Sequence, residues 1–431
     1  MARNADMTIV DSVTRTPILA SEVVGLKRRH GKKLVGIVES YDDKAALGDS
    51  LRVMLGVLGG SEMAVDGVTE AISALNFDWM TAAAVFLDRY TYFLFLGLAV
   101  LLYVVYPSVR RNRLKIAAFV IALVAVAWLT LVVKDIYREP RPCINLKLPE
   151  CPEDYSFPSG HTAYSFVFAG ASIGTAFFPV FFLLSIIVAL SRMYLGVHTL
   201  NDVAGSIVVS LAAYLTVETL LREFFPQLVP EKERGRVEER RERPGAHFEV
   251  RRQLIHIIFG TGVMALLYAL GRTKAELLLV LALFVGMTLM QLRLERHRAA
   301  FIDELFDLLE RPKVMPARGA VNYVLGSLLA LAFLSDFNQM MATIAILAWG
   351  DGAATLFGQF GRTRLPWSRK KTALGAFAFF AFASASAYLF VGPVALLVAL
   401  VCTLFETLEL RVDDNFLVPL VAVAFFVLAP I

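Results

Sequence analysis

Runs of about 17 to 25 largely apolar residues recur along most of this chain, each long enough to cross ~30 Å of hydrocarbon as a helix. A first set covers Tyr90–Tyr106, Ile116–Val133, Thr162–Phe178, Phe181–Val197 and Val203–Leu221. A second covers Gln253–Leu270, Glu276–Leu292, Ala320–Leu334, Met340–Phe357, Ala373–Val391, Pro393–Leu408 and Phe416–Ile431. The expected fold is therefore all-α: a polytopic transmembrane protein of two helical bundles, with five helices in the first and seven in the second. Composition agrees, because 57% of the 431 residues are hydrophobic and only 19% charged, too apolar for a soluble globular domain.

Charge sets the expected orientation, since cytoplasmic loops are enriched in Lys and Arg. "PSVRRNRLK", "PEKERGRVEERRERPGAHFEVRR", "RLERHRAAFIDELFDLLERPKVMPAR" and "GRTRLPWSRKK" all fall on one side of the membrane when the spans are counted, and that side reads as inside. A net charge of +4, spread along the chain, gives no reason to expect nucleic acid as a partner. The opening "MARNADMTIVDSVTRTP" has no apolar core and does not read as a secretory signal. Residues 1–67, with "GLKRRHGKK" and an apolar stretch too short to span, form a segment without an assigned role or side. Residues 226–250, punctuated by Pro226, Pro230 and Pro244 and rich in alternating Glu and Arg, read as a charged cytoplasmic linker between domains at 68–225 and 251–431. Cys143 and Cys151 lie in a loop expected outside, where a disulfide would persist, and both pairing and free thiols are compatible with their spacing. Cys402 sits in an apolar run as packing.

The first half carries polar groups where an apolar design has no use for them. "KDIYREPRP" supplies Lys134 and Arg141, and its prolines stop a helix there. "PSGH" places Ser159, Gly160 and His161 at the mouth of the third span, and "SRMYLGVHTLND" adds Arg192, His198 and Asp202. All three pieces are expected at the outer face. Charge developing on phosphate oxygens needs preorganised cations and donors, which Lys134, Arg141, Arg192, the Ser159 hydroxyl and the Gly160 amide offer. One imidazole can attack phosphorus while another protonates the leaving oxygen, and a carboxylate one turn beyond His198 can hold its tautomer. Singly, each residue reads as an interfacial side chain. Together they read as a phosphoryl-transfer site.

The pattern Lys, six residues, Arg-Pro, then Pro-Ser-Gly-His, then Ser-Arg, five residues, His, three residues, Asp resembles the three-part signature of the type 2 phosphatidic acid phosphatase superfamily. That resemblance implies a lipid phosphatase working without a metal cofactor through a phosphohistidine intermediate. It implies His198 as nucleophile, His161 as general acid, Asp202 as orienting carboxylate, and Lys134, Arg141, Ser159, Gly160 and Arg192 as phosphate ligands. Within the superfamily the helix count is similar to bacterial undecaprenyl-diphosphate phosphatases.

The second half has a polar set at the opposite, inner ends of its spans. Arg252 and His256 lie four apart in "RRQLIHIIFG". Asp351 sits between two glycines at the end of an apolar run, where an ionisable group is costly unless it faces a site. Gly358 and Gly361 offer close backbone approach, Lys370, Lys371 and Thr372 offer phosphate donors, and "FETLELRVDDNFLVP" adds Glu406, Asp413, Asp414 and Asn415. Carboxylates, lysines and glycines at one face suggest a magnesium-nucleotide site, and no Walker-type Gly-Lys-Ser/Thr loop is present. A positive-inside anchor and a polar turn are the plainer alternative.

"RRQLIH", "ERPKVMPARGAVNYVLG", "GDGAATLFGQFG", "KKTALG" and the Glu…Asp-Asp-Asn…Pro run together resemble the dolichol kinase and phytol kinase family of CTP-using lipid kinases. The resemblance implies Mg2+ with CTP, or alternatively ATP, held by Asp351, Lys371, Glu406 and Asp414, with His256, Lys370, Thr372 and Asn415 as further candidates. Part of the same run is similar to CDP-diacylglycerol synthases, whose downstream paired-aspartate signature this chain lacks. The expectation is a bifunctional membrane enzyme acting on polyprenyl phosphates or diphosphates outside and on a polyprenol inside. Two alternatives stand beside it: a second half that makes glycerolipids from diacyl- or dialkylglycerol, and one that is a non-catalytic transport or scaffold bundle.

Overall fold

The computed structural model describes residues 65–230, 246–295, 318–368, 370–408 and 410–429, together with two strands near the N-terminus. Strands β1 (Ile9–Val10) and β2 (Pro17–Ile18) pair antiparallel, in a unit Met1–Ala64 distinct from the helical unit Val65–Ile431. "GLKRRHGKK", linker residues 231–245 and the charged stretch 296–317 lie outside the described residues.

Every apolar run is a helix. Asp66 caps α1 (Gly67–Ala74) by accepting from the Thr69 amide at 2.8 Å. The first span, α2, runs over Asp78–Val105 and begins twelve residues before Tyr90. After the short α3 (Pro107–Arg111), Asn112 caps α4 (Arg113–Tyr137). The third span, α5, is short at Gly160–Ser172 and stops well before Phe178, because Ile173 is extended and Gly174 takes a φ of +74°. Pro179 then lies in the first turn of α6 (Phe178–Tyr194), a position where its missing N–H costs nothing. The half closes with α7 (Leu200–Phe224).

The second half comprises α8 (Ala246–Leu270), α9 (Arg272–Leu294), α10 (Arg318–Phe333), α11 (Phe337–Ala345), α12 (Gly352–Gly358), α13 (Ala373–Val391), α14 (Val394–Thr407) and α15 (Asp414–Leu428). A π-helical turn, Ile346–Asp351, joins α11 to α12 and makes them one span. Among the described residues seven spans are long and apolar enough to cross a membrane by themselves, and four shorter apolar helices pack beside them. The protein is an all-α, polytopic integral membrane protein.

The bundles meet through α7, which contacts α4 and α5 on one side and α9 and α10 on the other. One buried apolar cluster runs from Leu114 and Phe166 in the first half to Leu325 and Val421 in the second. Polar ties fix the register. At one end Arg272 donates to Asn201 (2.8 Å) and Tyr137 to the Phe333 carbonyl (2.7 Å). At the other, Gln291 bonds the Thr175 carbonyl and the Gly174 amide, and Arg411 pairs with Glu223. With α7 about 37 Å long at ~1.5 Å per residue, groups near Leu200 and groups near Glu223 occupy opposite ends of the unit.

Candidate active site

The segment Leu195–Thr199 between α6 and α7 is shaped by its neighbours. Gly196 has a φ of +75°, and a Cβ there would lie 1.8 Å from the Ile144 carbonyl oxygen, so only glycine lets the 143–147 loop dock. Thr199 and Asp202 form a capping box at the start of α7: the Asp202 amide donates to Thr199 Oγ1 (3.2 Å) and the Thr199 amide to Asp202 Oδ2 (2.7 Å). The box turns the Asp202 carboxylate back over the helix end, where Oδ2 also meets His198 Nδ1 at 3.3 Å. Ser156 bridges the same two groups, donating to Asp202 and lying 3.3 Å from His198 Nδ1. The aspartate thus accepts a hydrogen bond from Nδ1–H, which leaves Nε2 with its lone pair, into which Arg141 Nη1 donates at 2.9 Å.

Burial is the largest influence on His198, pushing its pKa down to about 3. Asp202 opposes that, and the charges of Arg141 and Arg192 add to it. That direction leaves His198 neutral near pH 7.

Lys134, from the last turn of α4, and Arg141 are drawn together by Asp154, a residue that no motif or spacing singles out. Its Oδ2 sits 2.6 Å from Lys134 Nζ, and its Oδ1 2.6 Å from Arg141 Nη2. Cys143 and Cys151 are bridged, closing the loop between Arg141 and Asp154. Arg192, on α6, pairs with Asp88 of α2, and His161 Nε2 donates to the Asp88 carbonyl at 3.0 Å. The His161 ring also rests on Tyr92, 4.8 Å between centroids. An acidic residue at position 88, four before Tyr92 near the start of an apolar run, was a readable hint of a site. Ser159 is the N-cap of α5; its amide donates to the Asp202 carbonyl (3.3 Å) and its hydroxyl accepts from Thr162 (3.1 Å). No side chain caps the first turn of α5, so the Gly160 end keeps amides for an anion. A Cβ on Gly205 of α7 would lie 2.3 Å from the Phe157 ring, so α7 passes that close to the Pro-Ser-Gly-His turn only as glycine.

At the other end of the unit, Asp351, Glu406 and Asp414 each present a carboxylate oxygen, all within 4.8 Å of one another. Lys371 reaches into the group, pairing with Glu406 and with Asp414 Oδ2 at 2.9 Å. Burial works against its ammonium charge, but Asp414 and Glu406 more than offset this and hold Lys371 above its ordinary range. The π-helical turn carries Asp351 to this meeting point. The remaining candidates have other surroundings. Thr372 caps α13, accepting from the Gly375 amide at 3.2 Å and donating to the Gly358 carbonyl at 3.2 Å. Gly361, expected to allow close backbone approach, is approached by Thr372, whose Oγ1 would be 2.4 Å from a Cβ there. His256 packs edge-on against Tyr323 at 5.1 Å, Lys370 is exposed beside Ser368, and Asn415 lies in the first turn of α15 with its Oδ1 buried and unpartnered.

The three sequence pieces that converge on His198 fall within or beside a stretch that matches a known family. Residues 113–224 match the PAP2 superfamily. They are a PAP2 domain. The uncharacterized protein MJ1137 of Methanocaldococcus jannaschii is 30% identical over 181 residues, which cover 42% of this chain and 92% of that protein, and the chain belongs to the same family as MJ1137. A crystal structure of Aquifex aeolicus LpxE is 23% identical and covers 35% of this chain and 92% of that one, with a TM-score of 0.30. The PAP2 match ends at Phe224, so the carboxylate cluster around Lys371 lies outside the PAP2 domain.

Proposed function

We propose that the PAP2 domain is a lipid phosphate phosphatase that works through a phosphohistidine. The observation that carries this is the His198–Asp202 pair: a buried neutral imidazole with its Nδ1 held by a carboxylate and its Nε2 aimed at an arginine. An incoming phosphate takes over the Arg141 donation, which frees the Nε2 lone pair. Nε2 attacks phosphorus, the ester P–O bond breaks, and the proton that a phosphate monoanion brings in passes through His161 to the leaving oxygen. Water then attacks the phosphorus of phosphohistidine; His161 takes the water's proton, and inorganic phosphate leaves as the P–N bond breaks. Lys134, Arg141, Arg192 and the α5 amides stabilise the equatorial oxygens throughout. The proposed substrate is a lipid, since the site lies at the end of an apolar helical bundle. A polyprenyl diphosphate or phosphate fits the reading, with a glycerolipid phosphate as the alternative. The Cys143–Cys151 bridge at this end favours an extracytoplasmic site, as do the basic stretches expected at the other.

Purified protein incubated with a 32P-labelled lipid phosphate and quenched in alkali should carry acid-labile label. His198→Ala should carry none and release no phosphate. Label that persists in His198→Ala would sink the mechanism.

The carboxylate cluster supports a second reading, a CTP-dependent lipid kinase on the cytoplasmic side. Hard oxygen donors from Asp351, Glu406 and Asp414 suit Mg2+ and leave room for phosphate oxygens. The three carboxylates would hold the ion, which when bound neutralises nucleotide phosphates. Lys371, held cationic, would turn from Glu406 and Asp414 to a phosphate. Polyprenol is the proposed acceptor, and diacyl- or dialkylglycerol the alternative. His198→Ala protein, supplied with labelled CTP or ATP, Mg2+ and a panel of these alcohols, should form a lipid phosphate that vanishes in Asp351→Ala. No product from any alcohol would remove the kinase and leave a phosphatase joined to a helical bundle.

A further inference from the structure

Asp154 occupies the place where the phosphatase reading, on which this inference rests, puts the substrate. Its two oxygens sit on the two cations, Oδ2 on Lys134 Nζ and Oδ1 on Arg141 Nη2, both at 2.6 Å, with Arg141 Nε adding a 3.0 Å bond. Two oxygens spread across two cations is how one face of a phosphate would bind. The same guanidinium donates to His198 Nε2, so the carboxylate lies one arginine away from the nucleophile. A phosphate that takes both Lys134 Nζ and Arg141 Nη2 must first displace Asp154.

It is also the member of the clamp that is free to leave. Its side chain is 56% exposed, whereas those of Lys134 and Arg141 are 12% and 7% exposed. It lies on a loop three residues beyond the Cys143–Cys151 bridge, so swinging it out disturbs neither helix.

We propose that Asp154 is an internal competitor that sets selectivity by charge: only a terminal phosphate displaces it, and the phosphodiester head groups of bulk lipid do not. A monoester or terminal diphosphate group carries about −1.5 to −2 near neutral pH, since its last proton leaves near pH ~6. Exchanging the carboxylate for that group gains electrostatic energy against Lys134 and Arg141. A diester carries a single charge, as the carboxylate does, and gains nothing. The competitor is tethered, so its effective concentration is in the millimolar range, and bulk lipid would otherwise crowd this site.

The test uses full-length protein in detergent near neutral pH, with Asp154→Asn and Asp154→Ala beside wild type and gel filtration to show that each is folded. Equilibrium binding of 32P-orthophosphate should tighten about tenfold in both variants, the factor expected when only a tenth of the sites are open at rest. Hydrolysis of dioctanoyl phosphatidate by the variants should become sensitive to added phosphatidylglycerol, while wild type stays indifferent. Unchanged or weaker phosphate binding in both variants would overturn the proposal and make Asp154 a brace that holds the cations in position. Tighter phosphate without new sensitivity to phosphatidylglycerol would overturn the selectivity. Phosphate binding that tightens in a protein releasing no phosphate from any lipid would remove the phosphatase reading and leave the displacement standing.

Discussion

At the scale of single residues, Asp202 has two duties that substitution can separate. Asn at that position can keep one oxygen in the Oδ2 place, for the Thr199 amide and His198 Nδ1 alike, but it removes the negative charge that supports the imidazole as positive charge develops on it. Asp202→Asn should therefore lower kcat by on the order of 10³–10⁴, the scale seen when the carboxylate of a His-Asp pair is lost. The helix cap should survive, so the melting temperature should move little. Capping loss would cost about 1 kcal/mol and belongs to Asp202→Ala instead. His198 gives a second test, through its pKa of about 3. Between pH 3 and its unfolded value of 6.5 the unfolded chain binds a proton there that the native protein refuses. Stability therefore falls as pH drops through that window. His198→Gln should flatten this fall relative to wild type, and parallel unfolding curves for the two proteins would contradict it. Glu139 acts in the opposite sense: burial, with Asp202 adding to it, pushes its carboxyl up to about 7, so its contribution is lost as pH rises from 4.5 toward 7.

Among the elements, the loop between α4 and α5 is the one whose geometry the site cannot spare. It carries Arg141, Asp154 and Ser156, and it docks on Gly196 through the Ile144 amide at 3.2 Å. Gly196→Ala meets both a left-handed backbone and the Ile144 carbonyl, a penalty of about 1–3 kcal/mol for the conformation alone. It should lower the thermal midpoint and kcat together. Opening the Cys143–Cys151 bridge by reduction should act differently, raising KM by loosening Arg141 while His198 and Asp202 stay on their own capping box. Equal KM before and after reduction would show that docking alone fixes the loop.

For the molecule as a whole, the halves are joined where an apolar interface gives little specificity. Lipid solvates an apolar helix face about as well as another helix does, so polar bonds and close packing decide which helices meet. Gln291 is such a contact: its amide donates to the Thr175 carbonyl and to Glu295, both at 2.8 Å, and accepts from Gly174 at 2.7 Å. Gln291→Leu should destabilise the detergent-solubilised protein by about 1–2 kcal/mol with phosphatase kcat retained, because the site is at the far end of α5. The His198 cluster sits at the Leu200 end of α7, and the loop that leads into Asp414 is tied to the other end by the Arg411–Glu223 pair.

Some of this was legible without coordinates. Each apolar run became a helix because span length is set by the bilayer, and a run of that length has one way to satisfy its backbone there. His198 and Asp202 could be related by eye, since four residues apart is one helical turn, whereas the capping box with Thr199 emerged from the fold. The shortness of α5 and the early start of α2 were not readable, because hydropathy sees composition and not where a glycine reverses the chain.

What only the tertiary structure decided are the contacts between residues distant in sequence. Asp88 lies 104 residues before Arg192, Ser156 46 before Asp202, and Lys371 35 before Glu406, and no periodicity links them. The sequence determined a polytopic helical protein with cationic and imidazole groups at helix ends, because burial in lipid and local hydrogen bonding act over a few residues. It could not determine that Asp154 closes over Lys134 and Arg141, or that a π-helical turn carries Asp351 to Glu406 and Asp414. Those meetings depend on how whole helices pack, and packing is a property of the assembled chain.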